Sequence, residues 1–445
     1  MDFQETAARI ERLLQSRALD GYEIMLGASR NLSVEVKEQK VDTFKCSQPV
    51  GVSVRVLKSR GMGFSFSTSL DETDLSRMID NAVVGAETQT PDEFHGFPGP
   101  EAYPEIEGMC DEGLVEVPEE DKVARAMELE RLVLAADPRI KRVRKSAYGE
   151  SSFEVFIRNS LGVAGSYRCT SVSSSVSVVA EEGGDSQMGW DFGFSNYFSG
   201  VDVETVAKGA AKKAAGLLGA RRIPTMRSPA VFDNYVAAEI LEVLAPAFLA
   251  ENVQKGKSLL AGRIGDKPFA PSLRIRDDGT LPGGMATTPF DGEGVAHRNN
   301  ILVEDGAILA YLYDSYFARK AGTTSTGNSA RGGAKSPPNM GTTNFFIENG
   351  PVPVAELLKG IERGVLITEV MGMHTANSIS GDFSVGAAGF FIEKGEVVSP
   401  VKGIAIAGNI LDIFRDVEGV GNDLRFFSGI GSPSLRIAAL DVSGE

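Results

Sequence analysis

The residues of this sequence that could do chemistry are its histidines, its carboxylate clusters and one long polar stretch, and their spacing narrows what that chemistry can be. There are three histidines, His95, His297 and His374, and none has a second histidine at a metal-ligand spacing. A His-Glu-x-x-His pattern is absent, as are the paired cysteines of a zinc ribbon, so no intrinsic zinc site is expected. His95 falls in a proline-rich stretch, where a solvated ring is expected. His297 and His374 fall in polar loops with no neighbours to complete a ligand set, which predicts structural roles. Nucleophilic catalysis finds no Gly-x-Ser-x-Gly elbow: Gly327-Asn328-Ser329-Ala330-Arg331-Gly332 has the wrong spacing and no strand before it. No glycine-rich phosphate loop follows a strand either, so the glycines at 322, 327, 332, 333 and 341 read as turn residues.

The carboxylates hold more promise. Asp277-Asp278-Gly279 and Asp291-Gly292-Glu293-Gly294 fall close together. Such groups could bind a cation or an amine, and they could equally be hydrogen-bonded turn residues at strand ends. Asn328 and Arg331, in the polar stretch 322–344, could hold the carboxylate or backbone of a peptide.

These residues must be positioned by elements that alternate between two periods. Phe3, Ala7, Ile10, Leu13 and Leu14 predict an amphipathic helix over residues 3–19. Val52, Val54 and Val56 predict a strand, turned back at Ser59-Arg60-Gly61 into Met62, Phe64 and Phe66. Asp71 is a plausible N-cap for a second helix through Ala86. Residues 88–121 carry Pro91, Pro98, Pro100, Pro104 and Pro118 and read as a linker or long surface loop. A second helix–strands–helix segment follows, from Lys122 to Gly219, with Asn159-Ser160-Leu161-Gly162 as its central turn. The similarity of the two segments suggests a duplication. Arg221-Arg222-Ile223-Pro224 marks the next boundary. Beyond it a helix is predicted over 236–251, then a β-rich region with hairpins turning at Glu304-Asp305-Gly306 and Glu393-Lys394-Gly395. The expected fold class is α+β: two α/β segments (1–100 and 101–222) forming an N-terminal half, then a β-rich domain (223–445) with curved antiparallel sheet.

Composition excludes several function classes. Against 45 Lys+Arg stand 60 Asp+Glu, a net charge of −15 that disfavours direct binding to nucleic acid or anionic membrane. No uncharged apolar stretch is long enough to span a membrane. Cys46, Cys110 and Cys169 are few, scattered and odd in number, as in a reducing cytoplasm. The acidic start Met1-Asp2-Phe3-Gln4-Glu5 does not look like a signal peptide, so a cytoplasmic location is expected.

The last domain also carries an ordered series of landmarks: Gly256-Lys257-Ser258, Gly262-Arg263-Ile264-Gly265, Asp277-Asp278-Gly279 and Asp291-Gly292-Glu293-Gly294, then Ser325-Thr326-Gly327-Asn328, Ser380-Gly381-Asp382-Phe383-Ser384, Pro400-Val401-Lys402-Gly403 and Gly421-Asn422-Asp423-Leu424. In this order they resemble the TldD/PmbA family. The resemblance implies a heterodimer of a TldD-type and a TldE (PmbA)-type subunit. It further implies a peptidase that acts on unfolded peptides such as microcin-type precursors or antitoxins, or a modulator of DNA gyrase. In TldD-type chains a helix before the Gly-x-Ser motif carries His-Glu-x-x-x-His, whose histidines bind zinc and whose glutamate is the general base. A cysteine near the C-terminus completes the ligand set. The matching segment here is Leu241-Glu242-Val243-Leu244-Ala245-Pro246, and no cysteine follows Cys169. Glu242 remains, but leucine and proline have no donor atoms. The resemblance therefore implies a TldE/PmbA-type chain with no cofactor of its own, the zinc being carried by a TldD-type partner.

The expected function is the non-catalytic subunit of a heterodimeric zinc metallopeptidase, holding unfolded peptide as a strand added to a sheet edge. Asp291, Glu293, Asn328, Arg331, Asn377, Asp382 and Ser384 are the candidate residues for contact with peptide or partner. Two rivals stand beside it: an autonomous hydrolase built on Asp291, Glu293 and Ser384, and a binding protein that modulates gyrase. A homodimer of the isolated chain stays open.

Overall fold

The computed structural model describes residues 2–445. Asp2 caps the first helix, α1 (Phe3–Gln15), by accepting the Glu5 N–H at 3.0 Å. The helix buries Phe3, Ala7, Ile10 and Leu14 as one stripe. It ends at Gln15, four residues before the predicted end at 19, because residues 17–20 already lead into the sheet. Antiparallel strands follow: β1 (Gly21–Lys37), β2 (Lys40–Ser47), β3 (Val50–Lys58) and β4 (Gly61–Ser67). After α2 (Glu72–Thr88) and α3 (Glu119–Ala136) come β5 (Ile140–Asn159), β6 (Ala164–Glu182), β7 (Asp185–Ser195) and α4 (Val203–Gly216).

The two similar segments do not make two sheets. β1 pairs with β5 from Glu23↔Asn159 to Val36↔Ser146, so both halves join in one seven-stranded sheet, ordered β4-β3-β1-β5-β6-β7 with β2 on the far half of β1. Strand alternation then sorts the side chains. Ile24, Leu26, Leu32, Val34 and Val36 of β1 face the helices and are buried under α1 to α4. Glu23, Met25, Gly27, Ser29, Asn31 and Ser33 point to the opposite face, where the rest of the chain docks.

The proline-rich stretch 88–121 is not a free linker. Phe97 is buried with the Arg55 guanidinium 5.3 Å from its ring, and Tyr103 packs on Phe290 at 4.8 Å between ring centroids. Glu101 accepts the Ala296 N–H at 2.6 Å and pairs with Arg298 at 2.8 Å. His95, expected to be solvated, is half-buried. Its Nδ1 lies 3.0 Å from the Arg60 carbonyl and its ring packs at a tilt against Tyr316, because this strap is pulled down onto the C-terminal part.

That part begins with β8 (Met226–Phe232) and α5 (Asn234–Leu244). The predicted helix to residue 251 breaks here. Pro246 lacks an N–H and its ring clashes with the preceding turn. The chain runs through a 3-10 turn at Ala245–Phe248 and resumes as a short helix at Ala250–Gln254. Thirteen short or medium strands complete it: β9 (Ile275–Asp278), β10 (Asn299–Glu304), β11 (Ala307–Ile308), β12 (Ser329–Ala330), β13 (Asn339–Met340), β14 (Phe345–Ile347), β15 (Arg363–Met371), β16 (Asp382–Glu393), β17 (Glu396–Asn409), β18 (Val417–Val420), β19 (Arg425–Phe427), β20 (Ile430–Ser432) and β21 (Leu435–Ser443). One sheet runs β11-β10-β9-β14-β20-β19. A second runs β17-β16-β15-β8-β21-β18 and curls until β17 also pairs with β21, and β12 and β13 pair by themselves. Both expected hairpins are present, and each turn carries two consecutive left-handed residues, Asp305-Gly306 and Lys394-Gly395. α5 packs across strands of both sheets and contributes Ile240, Leu241 and Leu244 to the largest core. The fold is α+β, with a curved antiparallel sheet and a β-rich C-terminal region. Among the described residues no helix is long and apolar enough to cross a membrane.

Candidate functional site

Two places collect the residues singled out by sequence. The first is α5. Leu241 is fully buried in the core, Glu242 points to solvent, and Pro246 sits beyond the helix end in the 3-10 turn. A zinc ion does not fit these residues: two of the three positions offer carbon only, and Leu241 faces away from any open surface. Among the described residues no group of three or more His, Cys, Asp or Glu side chains is placed to hold a metal ion. Beside α5 runs the segment carrying Asn377, Asp382 and Ser384, preceded by the Met373–Thr375 turn that packs on the helix. Asn377 Oδ1 accepts the N–H groups of Ile379 and Ser380, and Asp382 accepts from Ser380 Oγ and Asn409 Nδ2, so both side chains shape a turn. Those two hydrogen bonds also hold the Asp382 carboxyl below its ordinary value. Ser384 is exposed at the start of β16. The β15 pairing ends at Met371↔Gly386, and the Asn377 N–H reaches the Asp382 carbonyl at 3.0 Å. Between these, the main chain of Ser384 faces the same side with no strand neighbour, a short free edge.

The second place is the junction between the open face of the seven-stranded sheet and the C-terminal part. Here Glu23 of β1, Arg55 of β3, Glu293 and Arg331 form a buried, charge-balanced quartet. Arg55 donates from Nε to Glu23 Oε1 at 3.0 Å, makes a second bond to the same carboxylate, and reaches Glu293 Oε1 at 3.0 Å. Arg331 Nη2 reaches Glu23 Oε1 at 2.7 Å. The other Glu293 oxygen accepts the Ser315 N–H at 3.0 Å. Burial works against the Glu23 charge, but Arg55 and Arg331 outweigh it and hold the carboxyl below its ordinary value.

Asp291 lies next to the quartet and accepts three main-chain N–H groups, from Glu293, Val295 and Ser329. Burial, and then the charge of Glu293, push its carboxyl well above the usual carboxylate range. Asn328 donates from Nδ2 to Asp277 at 2.6 Å, and burial pushes Asp277 up to about 6. His297 is locked on Thr288 through Nδ1, and burial lowers it to about 4, so its imidazole is neutral at pH 7.

The structure thus brings Asp291, Glu293, Asn328 and Arg331 together and keeps Asn377, Asp382 and Ser384 apart from them. Ser384 stands in the other sheet and lines neither cavity flanking the quartet. The Ser329 hydroxyl is buried with no hydrogen-bond partner, so no base is placed to activate it. Sequence reasoning missed Glu23 and Arg55. Their one signal is that each is a charge between apolar neighbours, Tyr22 and Ile24 about Glu23 and Val54 and Val56 about Arg55, and their partners in the C-terminal part lie far off along the chain.

The quartet is flanked by two hollows. One, of about 650 Å³, lies under the loop 327–335 against Met25, Phe153 and Phe290. The other, of about 500 Å³, lies beyond Arg55 and Glu293, toward His95 and Asp314. In the second, burial and then the Glu293 charge push Asp314 up to about 6.

Comparison with known proteins agrees with this architecture. Three models of one family match the chain in order: PmbA/TldA metallopeptidase domain 1 at residues 22–86, the central domain at 112–218 and the C-terminal domain at 225–444. The metalloprotease PmbA of Escherichia coli O157:H7 is 28% identical over 97% of this chain and 94% of its own length. The crystal structure of TldE from Thermococcus kodakarensis superposes with a TM-score of 0.91 at 25% identity, covering 98% of this chain and 100% of that one. A Thermotoga maritima structure described as a modulator of a DNA gyrase gives 0.91 at 28% identity, covering 99% and 100%. Matched along almost its whole length, the chain belongs to the PmbA/TldD metallopeptidase family.

Proposed function

We propose that this chain is the TldE/PmbA-type, non-catalytic subunit of a heterodimeric zinc metallopeptidase acting on unfolded peptides such as microcin-type precursors or antitoxins. The observation that supports this most is the α5 segment. At the positions where the family resemblance places two zinc-binding histidines stand a core leucine and a helix-ending proline. Zinc, general base and activated water then belong to a TldD-type partner, in the cytoplasm, and this chain helps hold the substrate. The free main-chain edge at Ser384 suits an added strand of unfolded peptide. The hydrolase rival draws no support from Asp291 and Glu293, whose oxygens are taken up by internal hydrogen bonds. The test is co-expression with a TldD-type chain bearing His-Glu-x-x-x-His. The two should copurify and cleave an unfolded peptide in a chelator-sensitive way, and this chain alone should not. Robust cleavage by the isolated chain, or a stable complex with gyrase and none with a TldD-type chain, overturns the reading.

A further inference from the structure

Between the paired two-residue strands β12 and β13 the chain runs out and back as residues 331–338. The two roots of this stretch are firmly held. Asp291 accepts the Ser329 N–H at 3.0 Å, and Asp277 accepts the Thr343 N–H at 2.7 Å and the Asn328 side chain at 2.6 Å. The Gly341 N–H donates to the Asn328 carbonyl at 3.0 Å. The stretch itself is barely held. Among the described residues its one hydrogen bond to the rest of the chain runs from Arg331 Nη2 to Glu23 at 2.7 Å. Its one internal bond runs from the Ser336 N–H to the Gly333 carbonyl at 3.2 Å. The residues account for this. Gly332-Gly333, the second of them left-handed, free the backbone on one side, and Pro337-Pro338 have no N–H to anchor the other.

Its seat on the sheet is equally slight. Gly27 of β1 and Gly51 of β3 stand opposite each other in register and leave a bare spot, as strand glycines do where another segment approaches. Ala334 rests on the Gly51 half of that spot. A side chain built at Gly51 would come within 2.9 Å of the Ala334 Cβ, whereas one built at Gly27 meets nothing within 4 Å. Gly27, Gly51 and residues 331–335 all line the 650 Å³ cavity, so the stretch forms part of its wall over the sheet. The other tether is poorly satisfied. The Arg331 side chain is 2% exposed, and its Nε and Nη1 are buried without partners. Burial pulls this guanidinium below its ordinary value, although Glu23 works to raise it, and Arg55 beside it adds repulsion. Lifting the stretch breaks one ion pair and brings two starved nitrogens into water, so loss and gain largely offset.

We propose that residues 331–338 are a lid over the 650 Å³ cavity, latched by Arg331 on Glu23 and by Ala334 on Gly51, which opens while β12, β13 and the rest of the junction stay in place. Such a segment, with few bonds of its own and a small seat, belongs to the least stable part of a fold and opens by itself without global unfolding. Glu23 keeps a partner in the open state, because Arg55 holds the same carboxylate. The lid is a property of this chain alone and is independent of the subunit reading.

Gly27 supplies the test. Its backbone is not left-handed and the space above it is open, so Gly27→Cys places a thiol inside the cavity. Two native cysteines calibrate it in the same sample: Cys46 is exposed, and Cys169 is buried and does not line the cavity. The full chain is labelled with fluorescein maleimide, the rate at each cysteine is read by peptide mass spectrometry, and thermal melting monitors the fold. The thiol at position 27 should react more slowly than Cys46 and faster than Cys169. Arg331→Ala removes one latch, and Ala334→Leu is too large for the other. Each should speed labelling at position 27 about tenfold or more, equivalent to about 1.4 kcal/mol, with Cys46 and Cys169 unchanged. If Arg331→Ala melts early, Ala334→Leu, which leaves the quartet intact, carries the decision. Labelling at position 27 that tracks Cys169 in every variant overturns the lid, because the cavity then opens only on unfolding. Labelling that responds to neither latch variant overturns it as well, because the cavity is then reached another way. If both variants speed Cys169 together with position 27, the two contacts hold the whole junction and no separate lid exists.

Discussion

Glu23 gathers two guanidinium groups on one buried carboxylate, and its removal should be felt throughout the molecule. A buried ion pair gains little over an apolar substitute, yet removing one member leaves an unpaired charge and costs about 3–5 kcal/mol. Glu23→Gln should therefore destabilise the chain by that order at pH 7, measured by urea unfolding. The pH dependence has a definite sign. Arg55 and Arg331 hold the folded-state Glu23 below its ordinary value of 4.5, so the carboxylate's contribution is present above that value and is lost as pH falls through the folded value. Once Glu23 is protonated it resembles glutamine, so the difference between wild type and Glu23→Gln should shrink as pH falls below 4.5 toward the lowered folded value. A difference that stays constant from pH 7 to pH 3 refutes the ion-pair account. Asp277 works in the opposite direction. Burial raises its folded value to about 6, so it weighs against stability as pH rises through 6.

At the scale of elements, the proposed subunit role rests on α5. Leu241→His combined with Pro246→His restores the two imidazoles of the family pattern. The first must replace a leucine that is 0% exposed, and truncating such a residue alone costs about 2–5 kcal/mol. A third ligand and the groups that would orient the histidines are still missing. The double variant should be less stable and should show no chelator-sensitive peptide cleavage on its own; robust cleavage would mean that the site is nearly intact. The helices and hairpins around it were legible because their signals are local: the stripe of α1, Asp71 before α2, and the turns at Asp305-Gly306 and Lys394-Gly395. The helix predicted through residue 251 overran because apolar periodicity continues past Pro246, and there the missing N–H wins over the pattern. The quartet was only half legible. Glu293 and Arg331 stood out beside glycines in polar loops, whereas Glu23 and Arg55 lie 308 and 238 positions from those partners and carry no local pattern. Joining of the two similar segments through β1 and β5 was hidden for the same reason, since register between distant strands leaves no short-range trace.

At the scale of the whole molecule, the segment carrying Ser384 follows the turn that packs on α5, while the loop 327–335 caps the junction cavity. Ser384 lines neither junction cavity, so recognition at that edge falls on main-chain groups. An added strand presents its N–H and C=O groups to the edge at every second residue, the others facing away. That periodicity is measurable with the reconstituted heterodimer. A series of model peptides, each N-methylated at one successive backbone amide, should lose cleavage at alternate positions, because each methyl removes a donor and blocks the approach only where the amide faces the edge. Ser384→Pro, which cannot donate and whose ring crowds the edge, should weaken cleavage of all peptides of the series alike and leave copurification with the partner intact. Uniform tolerance of the methyl groups, together with strict dependence on one substrate side chain, would exclude the added strand. Loss of copurification in Ser384→Pro would instead make this edge a contact between the subunits.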